Sequence, residues 1–238
     1  MVPLKDDNPY EITPYITYSL IIANVLVFLY QLSLSPAALE AFFQTWAVVP
    51  RELTASFISG EFALSPQGVP EWVTLFSSQF LHGGFLHIIS NMWFLWIFGN
   101  NVEDKLGHFK FLLFYLTCGA LAALVQWFFT SGSAVPSLGA SGAIAGVMGA
   151  YILRFPGVSI LTLVPLGIIL APIRIPAIFF LGFWFLQQAL SSVASLQTTT
   201  HPGMEMGGIA YWAHASGFVF GAILGPLLGL FSDQERWR

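Results

Sequence analysis

Charge is scarce in this 238-residue chain. Asp, Glu, Lys and Arg together make up 8%, against about a quarter in an ordinary soluble domain. So few charges cannot cover a water-facing surface. With 56% hydrophobic residues and a mean hydropathy of +0.74, the chain is read as an integral membrane protein. Cysteine is scarcer still. Cys118 is the single one, which excludes an intramolecular disulfide and a cysteine-based zinc site. It lies in an apolar run and is read as a small core residue. There is no basic patch, and the net charge is -4, so no nucleic-acid partner is expected. An HExxH pattern is missing, which argues against a zinc protease built on His82, His87 and His214. No cofactor or metal is expected. The N-terminal segment is acidic and polar, without the basic and apolar regions of a removable signal peptide. The first apolar stretch is therefore taken as a retained span.

What is present is a series of long apolar stretches. A spanning helix needs about 20 mainly apolar residues. Six candidates are found: Tyr15 to Leu34, Gly84 to Asn101, His108 to Thr130, Ser141 to Leu153, Ile175 to Ala194, and Gly208 to Phe231. The expected fold class is therefore all-α and membrane-embedded, with six transmembrane helices. Residues 15–231 form the membrane domain, between tails at 1–14 and 232–238. The fourth helix is too short to cross alone, so it is expected to start below the surface, surrounded by protein. Residues 156–172 are apolar but rich in β-branched residues and bounded by prolines. They are read as an extended connector rather than a seventh span. With six spans, seven of the eight Lys and Arg residues fall on one face and only Arg51 on the other. That face is cytoplasmic, and it carries both termini. A bacterial plasma membrane is the expected location. The long first outer loop carries Trp46, Phe57, Phe62, Trp72 and Phe76. It reads as a segment at the membrane interface or as an ordinary folded loop.

Polar residues inside such stretches are costly and need a role. His87 and Asn91, four apart, share one helical face. The topology puts His87, Asn91, Ser141 and His214 at similar depth in the outer half of the membrane. Small residues allow close approach of helices. Ala213, Gly217, Gly221, Gly225 and Gly229 form a stripe on the sixth span, facing Gly142, Gly146 and Gly149 on the fourth. Packing these stripes together would bring Ser141 within reach of His214, an activated nucleophile. Ser141 begins a helix, whose free N–H groups and dipole suit an oxyanion. His87 and Asn91 can add donors. No carboxylate lies near that depth, so a Ser–His dyad is expected. Each residue also has a plainer reading. Ser141 alone is a helix cap, and His214, His87 and Asn91 alone are interhelical hydrogen-bonders. His82 is read as structural, holding the first loop. His108 and His201 are read as solvated. Gln126, Gln187 and Gln188 are expected to bond between helices. A proton-relay transporter is disfavoured by the lack of intramembrane Asp and Glu, and by the absence of a repeat. A non-catalytic helix-binding protein is disfavoured by the presence of both Ser141 and His214.

Taken together, the segment from His82 through His87 to Asn91, the Gly139-Ala140-Ser141-Gly142 motif, and Ala213-His214-Ala215-Ser216-Gly217 resemble the rhomboid intramembrane serine proteases. The resemblance implies that Ser141 is the nucleophile and His214 the base. It also implies that His87, Asn91 and the Ser141 N–H form the oxyanion hole, supported by His82, Gly139, Gly142 and Gly217. Substrates would be transmembrane helices of membrane proteins, cut near their outer end. The fifth span and the loop after it resemble a lateral gate and cap, and Glu103 resembles a structural acid on the cytoplasmic side. Two departures stand out. Where some bacterial members have a Tyr stacked on the histidine, this chain has Ala145, leaving Trp212 or a backbone carbonyl to orient His214. Where some have a Trp-Arg pair, Trp72 is followed by Val73.

Overall fold

The computed structural model describes residues 1–59, 68–167, 169–196 and 210–232. In chain order the elements are β1 (Val2–Asp6), α1 (Tyr15–Ser33), α2 (Pro36–Trp46), α3 (Pro50–Ser59), α4 (Glu71–Ser77), a 3-10 turn (Ser78–Phe80), α5 (Phe85–Leu106), α6 (His108–Thr130), α7 (Ser141–Arg154), β2 (Ser159–Leu166), β3 (Ile169–Pro176), α8 (Ala177–Ser195) and α9 (Tyr211–Leu227). The chain is mostly helical, as expected, with one small sheet added. Among the described residues, three helices are long and apolar enough to cross a membrane: α1, α6 and α8. A fourth candidate is the pair Glu71–Phe80 and Phe85–Leu106, bent by 83°.

Helix α7 is the centre of the molecule. Every residue from Gly142 to Ile152 is buried. A helix clothed in protein on all sides need not satisfy the length rule for lipid. Its small residues let neighbours come very close. A methyl group on Gly142 would meet Ala122 of α6 at 2.7 Å, and one on Gly146 would meet Cys118 at 2.6 Å. On the other side, methyl groups on Gly217 and Gly221 of α9 would run into the backbone oxygens of Gly142 and Gly146. The stripe does not continue as helix to Gly229. Helix α9 ends at Leu227, and Gly229, at φ 102, turns the chain back. The Gly229 N–H donates to Pro226 O and the Leu230 N–H to Gly225 O, a Schellman closure that buries Leu230.

Helix α1 has no cap of its own, because Pro14 precedes it. The caps come from α5. Glu103 accepts from the N–H groups of Ile16 and Thr17 and from the Thr17 hydroxyl, at 2.7–2.9 Å. Asp104 accepts from the N–H groups of Glu11 and Ile12. Two carboxylates at a helix N-terminus also meet the positive end of its dipole. His108 is not simply solvated, contrary to the sequence reading. Gly107, at φ 78, breaks the chain between α5 and α6 and brings His108 Nδ1 to 2.6 Å from Glu103.

The described part of the loop between α1 and α5 is folded. Its helices α2 to α4 hold the segment that leads into α7. Val48 and Ser137 exchange backbone hydrogen bonds, the Arg51 N–H donates to Ser133 O, and the Gly139 N–H donates to Ser78 O at 2.8 Å. Phe57, Trp72 and Phe76 are exposed. Trp46 is only partly so, and Phe62 lies outside the described residues. The connector before α8 is a β-hairpin, and the N-terminal segment joins it as a third strand in the order β1-β2-β3. Tyr151 donates to Asp6 at 2.6 Å, Arg174 pairs with Asp7 at 2.9 Å, and Asn101 donates to Asn8 O. The N-terminal segment is therefore built into the fold rather than forming a free tail.

Candidate active site

The packing of α7 against α9 brings Ser141 and His214, 73 residues apart in sequence, to 2.8 Å between Oγ and Nε2. Ser141 is the first residue of α7. It is held there by Gly139, whose φ of 128 is open to glycine but not readily to other residues. His214 lies in the first turn of α9. The N-terminus of that helix also lacks a cap of its own, and Gln126 of α6 supplies one by accepting from the Ala213 N–H at 3.2 Å.

Gly139 also leaves room for His87. A methyl group on it would lie 2.8 Å from His87 Nε2 and 3.7 Å from Ser141 Oγ. The two side chains thus flank one small patch of backbone. His87 Nδ1 accepts from the Gly83 N–H at 3.3 Å. A neutral ring that accepts at one nitrogen carries its proton on the other. With Nδ1 so used, the proton sits on Nε2, the nitrogen beside Gly139. The N–H groups of the first turn of α7 have no partner within their helix.

Asn91 is buried, and its Nδ2 lies 3.0 Å from His82 Nε2. His82 is clamped at its backbone by Gln31 of α1, which donates to the His82 carbonyl at 2.7 Å and accepts from its N–H at 3.2 Å. The His82 and His87 rings meet edge to face at 5.0 Å. One network therefore runs from α1 through His82 to Asn91, with His87 packed against it. A small cavity with room for a water molecule opens beside Ser141, lined in part by Ser78, Gln79, Ser137 and Gly142. Among the described residues, no group of three His, Cys, Asp or Glu is placed to hold a metal ion.

The sequence reading missed what holds the His214 ring. Trp212 does not touch it, being stacked on Phe129 at 3.7 Å. The partner is Gln188 of α8, whose Oε1 lies 2.9 Å from His214 Nδ1. Trp184, one turn earlier on α8, lies 5.9 Å from the His214 ring. Gln188 is buried and the adjacent Gln187 is exposed. The Gln187-Gln188 pair was visible as polar groups in an apolar helix, but the sequence did not say which one faces α9. His201 and the outer loop it belongs to lie outside the described residues. The Ser141–His214 pair is placed so that the ring can take a proton from the serine hydroxyl.

Comparison with known proteins gives one consistent result. The family model of the Rhomboid domain matches residues 69–231. Rhomboid-like protein 11, chloroplastic, of Arabidopsis thaliana is 31% identical over 169 residues, covering 70% of this chain and 56% of that protein. Rhomboid protein 1, mitochondrial, of Saccharomyces cerevisiae is 27% identical over 186 residues, 76% of this chain and 49% of that protein. Rhomboid protease GluP of Bacillus subtilis is 39% identical over 101 residues, 42% of this chain and 19% of that protein. The chain thus spans about half the length of the first two and less of the third. By their names these relatives belong to a chloroplast, a mitochondrion and a bacterium, so they do not single out a bacterial plasma membrane.

Proposed function

Because the chain belongs to the rhomboid family, we propose that it is an intramembrane serine endopeptidase that cuts transmembrane helices of membrane proteins near their outer ends. The supporting observation is the 2.8 Å approach of Ser141 Oγ to His214 Nε2 where α7 packs against α9. In the proposed reaction Ser141 attacks the scissile carbonyl while His214 Nε2 takes its proton. The negative oxygen that forms is held by the Ser141 N–H, the His87 Nε2–H and the Asn91 amide. His214 then passes its proton to the departing amine, leaving an acyl group on Ser141. Water, giving a proton to His214, releases the acid, and the proton returns to Ser141.

His82 supports Asn91. Gly139 makes room for His87, and Gly142 and Gly217 let α7 and α9 meet. The protein would cross the membrane six times, through α1, α5, α6, α7, α8 and α9. Residues 15–231 would form the membrane domain and both termini would be cytoplasmic. That orientation is supported by the distribution of basic residues and by β1 pairing with the connector before α8.

Labelling of the purified protein with a fluorophosphonate probe tests the reading. Wild type is expected to label, and Ser141→Ala and His214→Ala to lose the label while remaining folded. A folded wild type that stays unlabelled in both detergent and liposomes would sink the protease assignment and favour a non-catalytic, helix-binding role.

A further inference from the structure

We infer that Gln188 is a positioning residue that holds His214 in the tautomer and orientation the Ser141–His214 dyad needs. The inference rests on the protease reading above. A neutral imidazole has one N–H and one lone pair, and the neighbour of one nitrogen decides the role of the other. Gln188 Oε1 is an acceptor 2.9 Å from Nδ1. It therefore holds the proton on Nδ1 and leaves the Nε2 lone pair facing the Ser141 hydroxyl at 2.8 Å. The opposite tautomer would set a lone pair against the amide oxygen and an N–H against the serine, a serine that could not be deprotonated.

A glutamine suits this place better than a carboxylate would in two respects. It brings no charge into a buried bundle, where an ion would be costly. Its amide oxygen can still stabilise the imidazolium that forms as Ser141 gives up its proton, because hydrogen bonds to charged groups are the stronger kind. Trp184 and Gln188 are four apart on α8 and both meet His214, one through its ring and one through its amide. The base sits on α9 and both of its supports sit on α8. His214 is therefore held in register only while α8 rests against α9.

The rate at which a fluorophosphonate labels Ser141 reads this directly, measured against probe concentration and pH on the purified protein in detergent. Gln188→Leu should lower the saturating rate by roughly 10- to 100-fold, as for loss of one hydrogen bond to a charged group, with the half-saturating concentration unchanged. Gln188→Met, of similar length and without an acceptor, takes its place if the leucine variant does not fold. Gln188→Glu should recover most of the rate. It should also move the acid limb of the pH profile to higher pH, because a carboxylate beside Nδ1 favours the protonated ring. The groups facing His214 are Ser141 from α7, Gln188 and Trp184 from α8, and His87 from α5 at longer range. All but residue 188 are common to the three proteins, so a shift reports that residue alone. A merely structural glutamine would give equal losses in the leucine and glutamate variants, with no shift of the acid limb. That result would overturn the inference, as would a leucine variant within about two-fold of wild type. Both outcomes are read in a wild type that labels. A wild type that does not label sinks the protease reading first, and the role of Gln188 falls with it.

Discussion

At Ser141 the problem is placement. A serine hydroxyl is a weak nucleophile until a base stands ready for its proton, and a polar residue within a membrane is costly until it finds a partner. The approach to His214 answers both needs. His87 illustrates the same economy of contacts. Its Nδ1 is used by Gly83, which leaves the Nε2–H beside Gly139. If that N–H steadies the oxyanion, His87→Ala should slow fluorophosphonate labelling of Ser141 by about 100-fold, the usual scale for one lost oxyanion donor. The thermal midpoint should change little, because the ring is only partly buried. Unchanged labelling in His87→Ala would remove this residue from the proposed oxyanion hole. Ser141, His87 and His214 could be picked out from sequence because each is a polar residue in an apolar stretch beside small residues. Gln188 could not be assigned to His214, because two adjacent glutamines differ only by the rotation of α8, and packing sets that rotation.

Among the elements, α7 and α9 depend on having almost no side chains between them. A side chain at Gly217 meets the backbone oxygen of Gly142, and backbone cannot step aside as a flexible side chain can. Gly217→Val should therefore push the helices apart, destabilise the protein by about 3 kcal/mol or more, and abolish labelling at temperatures where the variant is still folded. Gly182→Ala on α8 is the control, since a methyl group there meets nothing within 4 Å. A folded Gly217→Val variant with full labelling would show that the close approach is not what aligns Ser141 with His214. The glycine stripes were legible because they repeat at helical spacing. The starts of α1, α6 and α7 at Tyr15, His108 and Ser141 were legible too, as the first residues of their apolar stretches. The sheet was not. The β-branched, proline-bounded stretch at 156–172 announced a non-helical segment, but pairing of β1 with β2 joins residues about 160 apart through backbone groups that carry no sequence signature. The tie from His108 to Glu103 was hidden for a related reason, since it depends on the reversal at Gly107.

For the whole molecule, the orientation sets the side of the membrane on which the proposed cleavage would fall. The first outer loop, with α2 to α4, grips the chain just before Ser141. The sheet instead gathers the N-terminus and the connector after α7. The outer loop contains one basic residue, Arg51, while Lys5 and Arg174 lie in the sheet. By the preference of Lys and Arg for the cytoplasmic side, the proposed orientation puts the sheet toward the cytoplasm and the serine toward the outside. Cys118 is buried and should stay silent to maleimides, so single cysteines can report the two faces without its removal. Ala37 and Gly157 are both exposed, the first in α2 and the second just before β2. In intact cells Ala37→Cys should react with a membrane-impermeant maleimide. Gly157→Cys should react only once the membrane is opened. The reverse pattern would place Ser141 toward the cytoplasm, and substrates would then have to be cut near their inner ends.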